Sequence, residues 1–296
     1  MPPPTIVEEP FGQGRLREIT MQELIHGAFH FHSTYSHDGK SGLREIASSL
    51  SRRGLSFCVM TEHFEDLNAA KLDRYVREAN EVTQNIGFLL IPGAEVDLSG
   101  LHTIVCPVRS YGEISRMRWP EEADPRVLKV LAHPSKYRFE LVRDHLERYK
   151  INGLELWNQE ADSRYIPPLS LLARLSADPR RSRLRYFFGC DLHRASLTVA
   201  NIISLPAPHE LTAEAIVSAL LEGDFVTRNT ATGIEYHNRS ESDGFGAWAE
   251  AVLRRPFYRA RLRRSARRCL RSCYRMLSPR TQHSLNDIKN FVRNKV

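Results

Sequence analysis

Short apolar segments that end in histidine or a carboxylate constrain the fold of this sequence more than any other feature. Seven of the twelve histidines lie in such phrases, between residues 30 and 193. The phrases are His30-Phe31-His32, His37-Asp38-Gly39, Thr61-Glu62-His63, Pro92-Gly93-Ala94-Glu95, Leu101-His102, Ala132-His133-Pro134 and Gly189-Cys190-Asp191-Leu192-His193. Imidazoles and carboxylates are costly to bury unless they are paired or ligated. The sequence therefore predicts that the fold gathers them in one place, where they hold more than one metal ion.

The apolar segments themselves predict an α/β fold. They are rich in Val, Ile, Leu and Phe, which is typical of strands buried on both faces, and most are separated by helical patterns. The predicted strands are 26–32, 55–61, 88–96, 102–108, 127–133, 151–157 and 185–190, and the predicted helices are 43–50, 72–82, 137–149, 168–177 and 212–222. Seven or so strands, each followed by a helix or loop, predict a closed or nearly closed α/β barrel.

The candidate metal ligands fall where barrel enzymes place their chemistry. Most of them lie at the C-terminal end of a predicted strand: His30, His32, His63, Glu95, His133 and Asp191. That end of a barrel is the one that carries the active site. His102 departs from this rule, because it lies at the start of its strand.

Charge is distributed unevenly along the chain. Residues 254–296 contain fourteen Lys and Arg side chains and one acid, Asp287, whereas the first 253 residues contain 28 basic and 34 acidic side chains. Such asymmetry is typical of a folded body with an interaction segment. Residues 248–277 predict a basic amphipathic helix, interrupted at Pro256. Three interpretations of this helix are open. It could bind an anionic membrane surface, bind nucleic acid through phosphates, or be solvated or docked on a partner. Few aromatic residues interleave the arginines, so nucleic acid is the least favoured.

Other features of the sequence indicate the cellular compartment. The five cysteines form no CxxC pair, no apolar run approaches the roughly 18 residues of a spanning helix, and the first residues lack a signal-peptide pattern. We predict a cytoplasmic protein, peripheral at the inner face of a membrane if the basic helix binds lipid.

The order of the motifs resembles that of the PHP domain, named for polymerase and histidinol phosphatase. The motifs HxH…HDG, TEH, PGAE, LH, AHP and GCDLH carry the resemblance, which spans about residues 26–230. It implies a distorted (β/α)7 TIM-like barrel that holds three divalent metal ions. The predicted organisation is an N-terminal extension (1–25), a PHP-like barrel (26–237) and a basic helical tail (238–296).

The resemblance also implies a ligand set. One metal would take His30, His32, Glu95 and Asp191, and a second would share Glu95 and take His102 and His133. The third would take His63, His193 and either His37 or Asp38. Many family members have Ser-Asp-Gly where this chain has Ser36-His37-Asp38-Gly39, so that choice stays open. Glu62 replaces a usual Asp, which is expected to affect only the orientation of His63.

The expected activity is hydrolysis of a phosphate ester by a metal-activated hydroxide at a trinuclear site, with Asp191, His193 and Glu95 as the catalytic residues. Arg194, Lys136, Arg138 and Arg164 are candidates for binding a small phosphorylated substrate. Zinc, manganese and iron all accept mixed His and carboxylate ligands. The alternative is a non-catalytic, metal-stabilised scaffold that acts through its basic tail in membrane, nucleic-acid or partner binding.

Overall fold

The apolar runs form short strands, and the amphipathic stretches between them form helices. The computed structural model of the chain describes residues 23–117, 124, 126–178, 184–238, 244–255 and 258. Within these ranges the strands are β1 (Leu24–Phe31), β2 (Phe57–Met60), β3 (Glu62–His63), β4 (Leu89–Ile91), β5 (Ala94–Leu98), β6 (Leu101–Cys106), β7 (Leu128–Leu131), β8 (Gly153–Asn158), β9 (Arg185–Gly189), β10 (Asn201–Pro206), β11 (Val226–Asn229) and β12 (Ile234–His237). The helices are α1 (Leu43–Ser51), α2 (Ala69–Ile86), α3 (Tyr111–Met117), α4 (Phe139–Arg148), α5 (Leu169–Ser176), α6 (Ala213–Glu222) and α7 (Gly244–Arg254).

Two mixed six-stranded sheets make up the α/β fold. The first has the order β12-β11-β10-β1-β2-β4, and the second has the order β3-β5-β6-β7-β8-β9. Strand β6 runs antiparallel to both of its neighbours, β5 and β7. The two sheets meet where β9 ends beside β1: the backbone N–H groups of Cys190 and Asp191 donate to the carbonyls of Phe29 and His30, at 2.8 and 2.7 Å.

The core consists of two apolar clusters. The larger one lies between the strands and helices α1, α2, α4, α5 and α7. The smaller one combines residues from strands of both sheets with helix α6; it includes Phe29, Val59, Ile104, Val130, Phe187 and Ile216. Phe29 and Phe187 stack at 4.7 Å between ring centroids, which joins β1 to β9 across the smaller cluster.

Each predicted strand has a counterpart, with two differences. The stretch predicted as one strand over 88–96 is divided into β4 and β5 at Pro92-Gly93, because proline cannot donate a ladder hydrogen bond. Strand β3, strands β10 to β12 and helix α3 were not predicted. The predicted helices have counterparts, and α2 and α6 end at glycines with φ of 71° and 81°, as left-handed helix ends require.

Helix α7 packs against the body of the protein. Phe245 is buried and stacks on Tyr186 at 4.3 Å, and the Trp248 indole N–H donates to the Glu235 carbonyl at 2.7 Å. The tail predicted from residue 238 thus begins with a helix that contributes to the core. The rest of the basic helix predicted over 248–277, including its interruption at Pro256, lies outside the described residues apart from 248–255 and 258. None of the described helices is both long and apolar enough to cross a membrane.

On the buried face of helix α4, His145 packs against β6. Its Nε2 lies 3.0 Å from the Thr103 hydroxyl. Burial, helped by the charge of Arg148, lowers the pKa of His145 to about 4. An unfolded histidine titrates near its ordinary value, so the unfolded chain binds the extra proton first as the pH falls. The stability contributed here is therefore lost between about pH 6.5 and about pH 4.

We expect His145→Gln to make stability less dependent on pH in that window, because the amide keeps a hydrogen-bonding group near Thr103 but does not titrate. Urea unfolding of both proteins at several pH values from about 7 to about 4 measures this. Stability curves that run parallel for the two proteins would contradict the assignment.

Candidate metal centre

The strand directions bring the candidate ligands to one end of the sheets. His30 and His32 lie at the end of β1, and His133 and Asp191 follow β7 and β9. Strands β3 and β5 are parallel, and His63 is paired with Glu95. The position of His102 at a strand start is explained by the direction of β6, because an antiparallel strand begins at the end where its neighbours terminate.

Glu95 lies at the centre of the candidate site. Its side chain is 2% exposed, and five imidazoles surround it. The distances to a Glu95 carboxylate oxygen are 2.9 Å from His133 Nε2, 3.0 Å from His102 Nδ1, 3.2 Å from His63 Nδ1, 3.6 Å from His32 Nε2 and 3.8 Å from His30 Nε2. Burial alone would raise the pKa of Glu95, but hydrogen bonds from His102 and His133 and the neighbouring imidazoles of His30 and His63 hold it well below its ordinary value. Glu95 is therefore a buried, ionised carboxylate.

Around Glu95, three overlapping groups have potential ligand atoms within 4.8 Å of one another. They are His30, His32 and Glu95; Glu95, His102 and His133; and His32, Asp38, His63 and His193. Asp191 belongs to none of these groups, although its Oδ1 lies 3.4 Å from both His30 Nε2 and His32 Nε2. The first group thus lacks Asp191 of the expected set, the second has the expected members, and the third contains His32 in addition to His63, His193 and Asp38.

The third group contains Asp38 and not His37. Asp38 Oδ2 lies 3.0 Å from His193 Nε2 and 3.3 Å from His63 Nε2. The His37 side chain is 70% exposed, and its Nδ1 lies 2.8 Å from Asp66 Oδ2. The sequence left the choice between His37 and Asp38 open, and the structure places His37 outside the group.

Glu155 supports the site from behind and was missed as a functional residue. It is fully buried on β8, and its Oε1 accepts the Nδ1–H of His30 at 2.9 Å. Its Oε2 accepts the His133 backbone N–H at 2.6 Å and the Asn158 amide at 2.8 Å. By accepting the hydrogen bond from Nδ1–H, Glu155 orients the His30 imidazole so that its Nε2 faces the site. The sequence signal was an acid inside the apolar run Gly153-Leu-Glu-Leu-Trp-Asn, which is costly to bury without a partner.

Glu62 supports the loop that follows β1. Its carboxylate accepts hydrogen bonds from the Ser33 hydroxyl at 2.6 Å and the Ser36 hydroxyl at 2.7 Å. The Ser36 hydroxyl oxygen in turn accepts the His63 backbone N–H at 2.9 Å. Glu62 thus affects His63 through Ser36, in agreement with a role outside the ligand set.

The four cationic substrate-binding candidates differ in their surroundings. Lys136 Nζ lies 4.0 Å from Asp191 Oδ2, and Arg194 lines a cleft together with Asp38 and His193. Arg138 is 3.9 Å from Glu140, and Arg164 lies over the Tyr165 ring at 5.9 Å. Among the described residues, neither Arg138 nor Arg164 forms an ion pair with a carboxylate of the three groups. Of these four candidates, Lys136 and Arg194 are the two that lie beside candidate ligands.

The donor set fits a divalent cation. The Nε2 atoms of His30 and His32, His133 Nδ1 and Asp38 Oδ1 are buried and lack a hydrogen-bond partner within the described part of the chain. Burial lowers the pKa of His32 to about 4, so this imidazole is neutral at pH 7 with a nitrogen facing the site. A neutral imidazole with a free nitrogen is the form that binds metals.

Protons occupy part of the site when no cation is bound. Burial alone would lower the pKa of His63, but its hydrogen bond to Glu95 and the charges of Glu95 and Asp38 raise it to about 9. Burial alone would also lower the pKa of His30, but the charges of Glu155 and Asp191 raise it well above its ordinary value. These imidazolium charges compensate the buried carboxylates, and metal binding would displace the protons.

Three of the candidate ligands have left-handed backbone conformations. The φ angles are 69° at His30, 54° at Asp191 and 31° at His133. Residues other than glycine seldom adopt these angles, and they cluster at functional sites where surrounding structure holds them. At His30 the conformation coincides with a register shift between β1 and β2, so His30 and His32 reach the site through a bulge and not by regular strand alternation.

Gly189 makes room for Glu155. A Cβ atom at this position would lie 1.5 Å from Glu155 Oε1. We expect Gly189→Ala to displace Glu155 and lower the free energy of unfolding by about 1–3 kcal/mol, as overpacking of a core does. Gly112→Ala in α3 is the control, because nothing lies within 4 Å of its added Cβ. Chemical unfolding of both variants measures the difference, and equal stabilities would contradict the steric argument.

Comparison with known proteins gives one sequence relative. A stretch of 120 residues is 29% identical to the probable histidinol-phosphatase of Thermotoga maritima. This stretch covers 40% of this chain and 46% of that protein. The chain thus matches less than half of the relative's length. No protein-family model matches the sequence.

Two solved structures are similar at low sequence identity. A two-domain protein from Bacteroides vulgatus that contains a predicted PHP-like metal-dependent phosphoesterase has a TM-score of 0.48 and 16% identity, over 75% of this chain and 70% of that one. A lesion-specific endonuclease from Pyrococcus furiosus has a TM-score of 0.45 and 14% identity, over 67% of this chain and 56% of that one.

The motifs that carry the resemblance meet at one site around Glu95, and the sequence relative is a probable histidinol-phosphatase. By the order of its motifs and by this relative, the chain is similar to proteins of the PHP family.

Proposed function

We propose that this protein is a metal-dependent phosphoesterase whose active site surrounds Glu95. The observation that carries the proposal is the buried pair His30 Nε2 and His32 Nε2, which face Glu95 and Asp191 without hydrogen-bond partners. Keeping such atoms unpaired is costly, and a bound cation would remove that cost. The histidinol-phosphatase relative supports phosphate esters as the substrate class.

The proposal places three divalent ions in the site. One would be held by His30, His32, Glu95 and Asp191, and a second by Glu95, His102 and His133. The third would be held by Asp38, His63 and His193. The two oxygens of Glu95 face different imidazoles, His102 and His133 on one side and His63 on the other, so it is suited to bridge ions. Zinc, manganese and iron are the candidates for this mixed ligand set.

The site residues have distinct proposed roles in hydrolysis. When bound, divalent ions supply a water of lowered pKa and neutralise phosphate oxygens. Glu95, Asp191 and His193 fix the geometry of the reaction centre. Lys136, 4.0 Å from Asp191 and half exposed, is suited to contact a phosphate oxygen. Arg194 lines the adjoining cleft and is suited to bind the substrate.

We also propose that the two sheets form the distorted seven-stranded barrel of the PHP domain. The hydrogen bonds that join β9 to β1 support closure on one side. The smaller apolar cluster supports it as well, since its side chains come from strands of both sheets and from α6.

The proposal is tested by metal analysis and hydrolysis. We expect the purified protein to contain divalent metal and to hydrolyse p-nitrophenyl phosphate or bis-p-nitrophenyl phosphate with added Mn²⁺. Asp191→Ala should lower turnover by more than about 100-fold, because Asp191 is a proposed metal ligand. Loss of a residue that only orients a ligand typically costs about 10–100-fold. Asp73→Ala, which removes an exposed carboxylate from α2, is the control.

Two outcomes would count against this assignment. Bound metal without turnover on a broad phosphoester panel would favour the scaffold that acts through the basic tail. Unchanged turnover in Asp191→Ala would show that the reaction centre lies elsewhere.

The role of Glu155 is tested separately through metal affinity. Glu155→Gln removes the charge that orients His30 and one acceptor for the His133 backbone and Asn158 amide. We expect Mn²⁺ or Zn²⁺ to bind about 10–100-fold more weakly, as found for residues that orient ligands. Titration calorimetry measures this, with Glu81→Gln on the exposed face of α2 as the control. Equal affinities for Glu155→Gln and the unaltered protein would contradict the role.

A further inference from the structure

A cleft opens from the third group of candidate ligands. It has a volume of about 450 Å³ and is lined by Asp38, Lys40, Glu160, His193, Arg194 and Leu197. The side chains of Asp38 and His193 are 39% and 25% exposed, whereas those of His30 and His32 are fully buried. A substrate that reaches the buried ligands past Asp38 and His193 therefore has its remaining atoms in this cleft.

Two cations in the cleft have no carboxylate partner among the described residues. Lys40 and Arg194 are both exposed, and no ion pair within 4.0 Å involves either of them in the part of the chain that the structure describes. Arg109, by contrast, forms an ion pair with Glu214 at 2.9 Å. Lys40 and Arg194 are thus available to an anion, even though Glu160 lines the same cleft.

Hydrogen bonds join the backbone segments that carry Lys40 and Arg194. The Lys40 N–H donates to the His193 carbonyl at 2.8 Å. The Ala195 N–H donates to the Ser41 hydroxyl at 3.2 Å, and the Arg53 guanidinium donates to the Ala195 carbonyl at 3.0 Å. The loop of Lys40 and the loop of Arg194 are therefore one connected unit beside the candidate metal ligands, which lowers the entropic cost of binding an anion between them.

We propose that Lys40 and Arg194 form a second anion site, and that the substrate is a small phosphate ester that carries another anionic group, a phosphate or a carboxylate. This inference rests on the proposed phosphoesterase function. The ester phosphate would bind at the ligand groups around Glu95, and the second anionic group would bind in the cleft. Arg194 offers a planar fork of donors and Lys40 a point charge, and both suit carboxylate and phosphate oxygens. Leu197, 38% exposed in the same cleft, would contact apolar atoms of the substrate.

Paired substrates that differ in the second anionic group test this proposal. Glycerol 3-phosphate and 3-phosphoglycerate test a carboxylate, and fructose 6-phosphate and fructose 1,6-bisphosphate test a phosphate. In at least one pair, we expect kcat/KM to be higher for the substrate that carries the second anionic group. The expected factor is about tenfold or more, which corresponds to one charge-assisted contact. The pair that shows the preference identifies the anion.

The variant Lys40→Met/Arg194→Met should bring that ratio close to one. The ratio compares two substrates on one protein, so a general loss of activity does not change it. Arg44→Met/Arg77→Met removes two exposed charges from α1 and α2 and should keep the ratio of the unaltered protein. A ratio near one for both pairs in the unaltered protein, or an unchanged ratio in Lys40→Met/Arg194→Met, would overturn the proposal.

Calorimetric binding of the glycerol 3-phosphate and 3-phosphoglycerate pair, and of the fructose phosphate pair, separates this inference from the hydrolase assignment. Hydrolysis without a preference for the second anionic group would overturn the anion site and leave the phosphoesterase in place. If no ester is hydrolysed, a binding preference that is lost in Lys40→Met/Arg194→Met would support the anion site and reject the phosphoesterase. Absence of both hydrolysis and a binding preference would overturn both.

Discussion

The rest of the site depends on the charge balance around one buried carboxylate. Glu95 is ionised at 2% exposure, and a buried charge is tolerated only when opposite charge and hydrogen bonds surround it. His102 and His133 provide hydrogen bonds, and the raised pKa of His63 and His30 shows that protons supply the positive charge when no cation is bound. Metal binding would displace those protons. The same arrangement thus explains the burial and the proposed chemistry.

Holding five imidazoles around one acid requires an outer layer of support. Glu155 connects His30, the backbone of His133 and Asn158, and Gly189 leaves the space that Glu155 occupies. Glu62 organises the serine loop after β1 in a similar way. The positive φ angles at three candidate ligands show that this layer also holds the backbone in conformations that it would not adopt alone.

Burial and exposure divide the site into two functional sides. The ligands on β1 and β5 are enclosed, while Asp38 and His193 face solvent at the mouth of a cleft. Lys40 and Arg194 line this cleft together with Asp38 and Glu160, and neither cation has an ion-pair partner among the described residues. The proposed anion site would bind the anionic part of a substrate beside the exposed ligands. Substrate selection and metal binding are therefore assigned to neighbouring but different residues.

The sequence by itself determined the α/β class, the positions of most strands and the identity of the candidate ligands, because a histidine or acid at the end of an apolar run is informative without tertiary contacts. It could not determine that β6 runs antiparallel, which explains His102, or that Asp38 and not His37 joins the third group. It also did not identify Glu155 as a partner of His30. These features depend on strand direction, side-chain orientation and contacts between residues more than 100 positions apart, such as His30 and Glu155. Local sequence cannot encode them, since only the packed tertiary structure brings such groups into hydrogen-bonding distance.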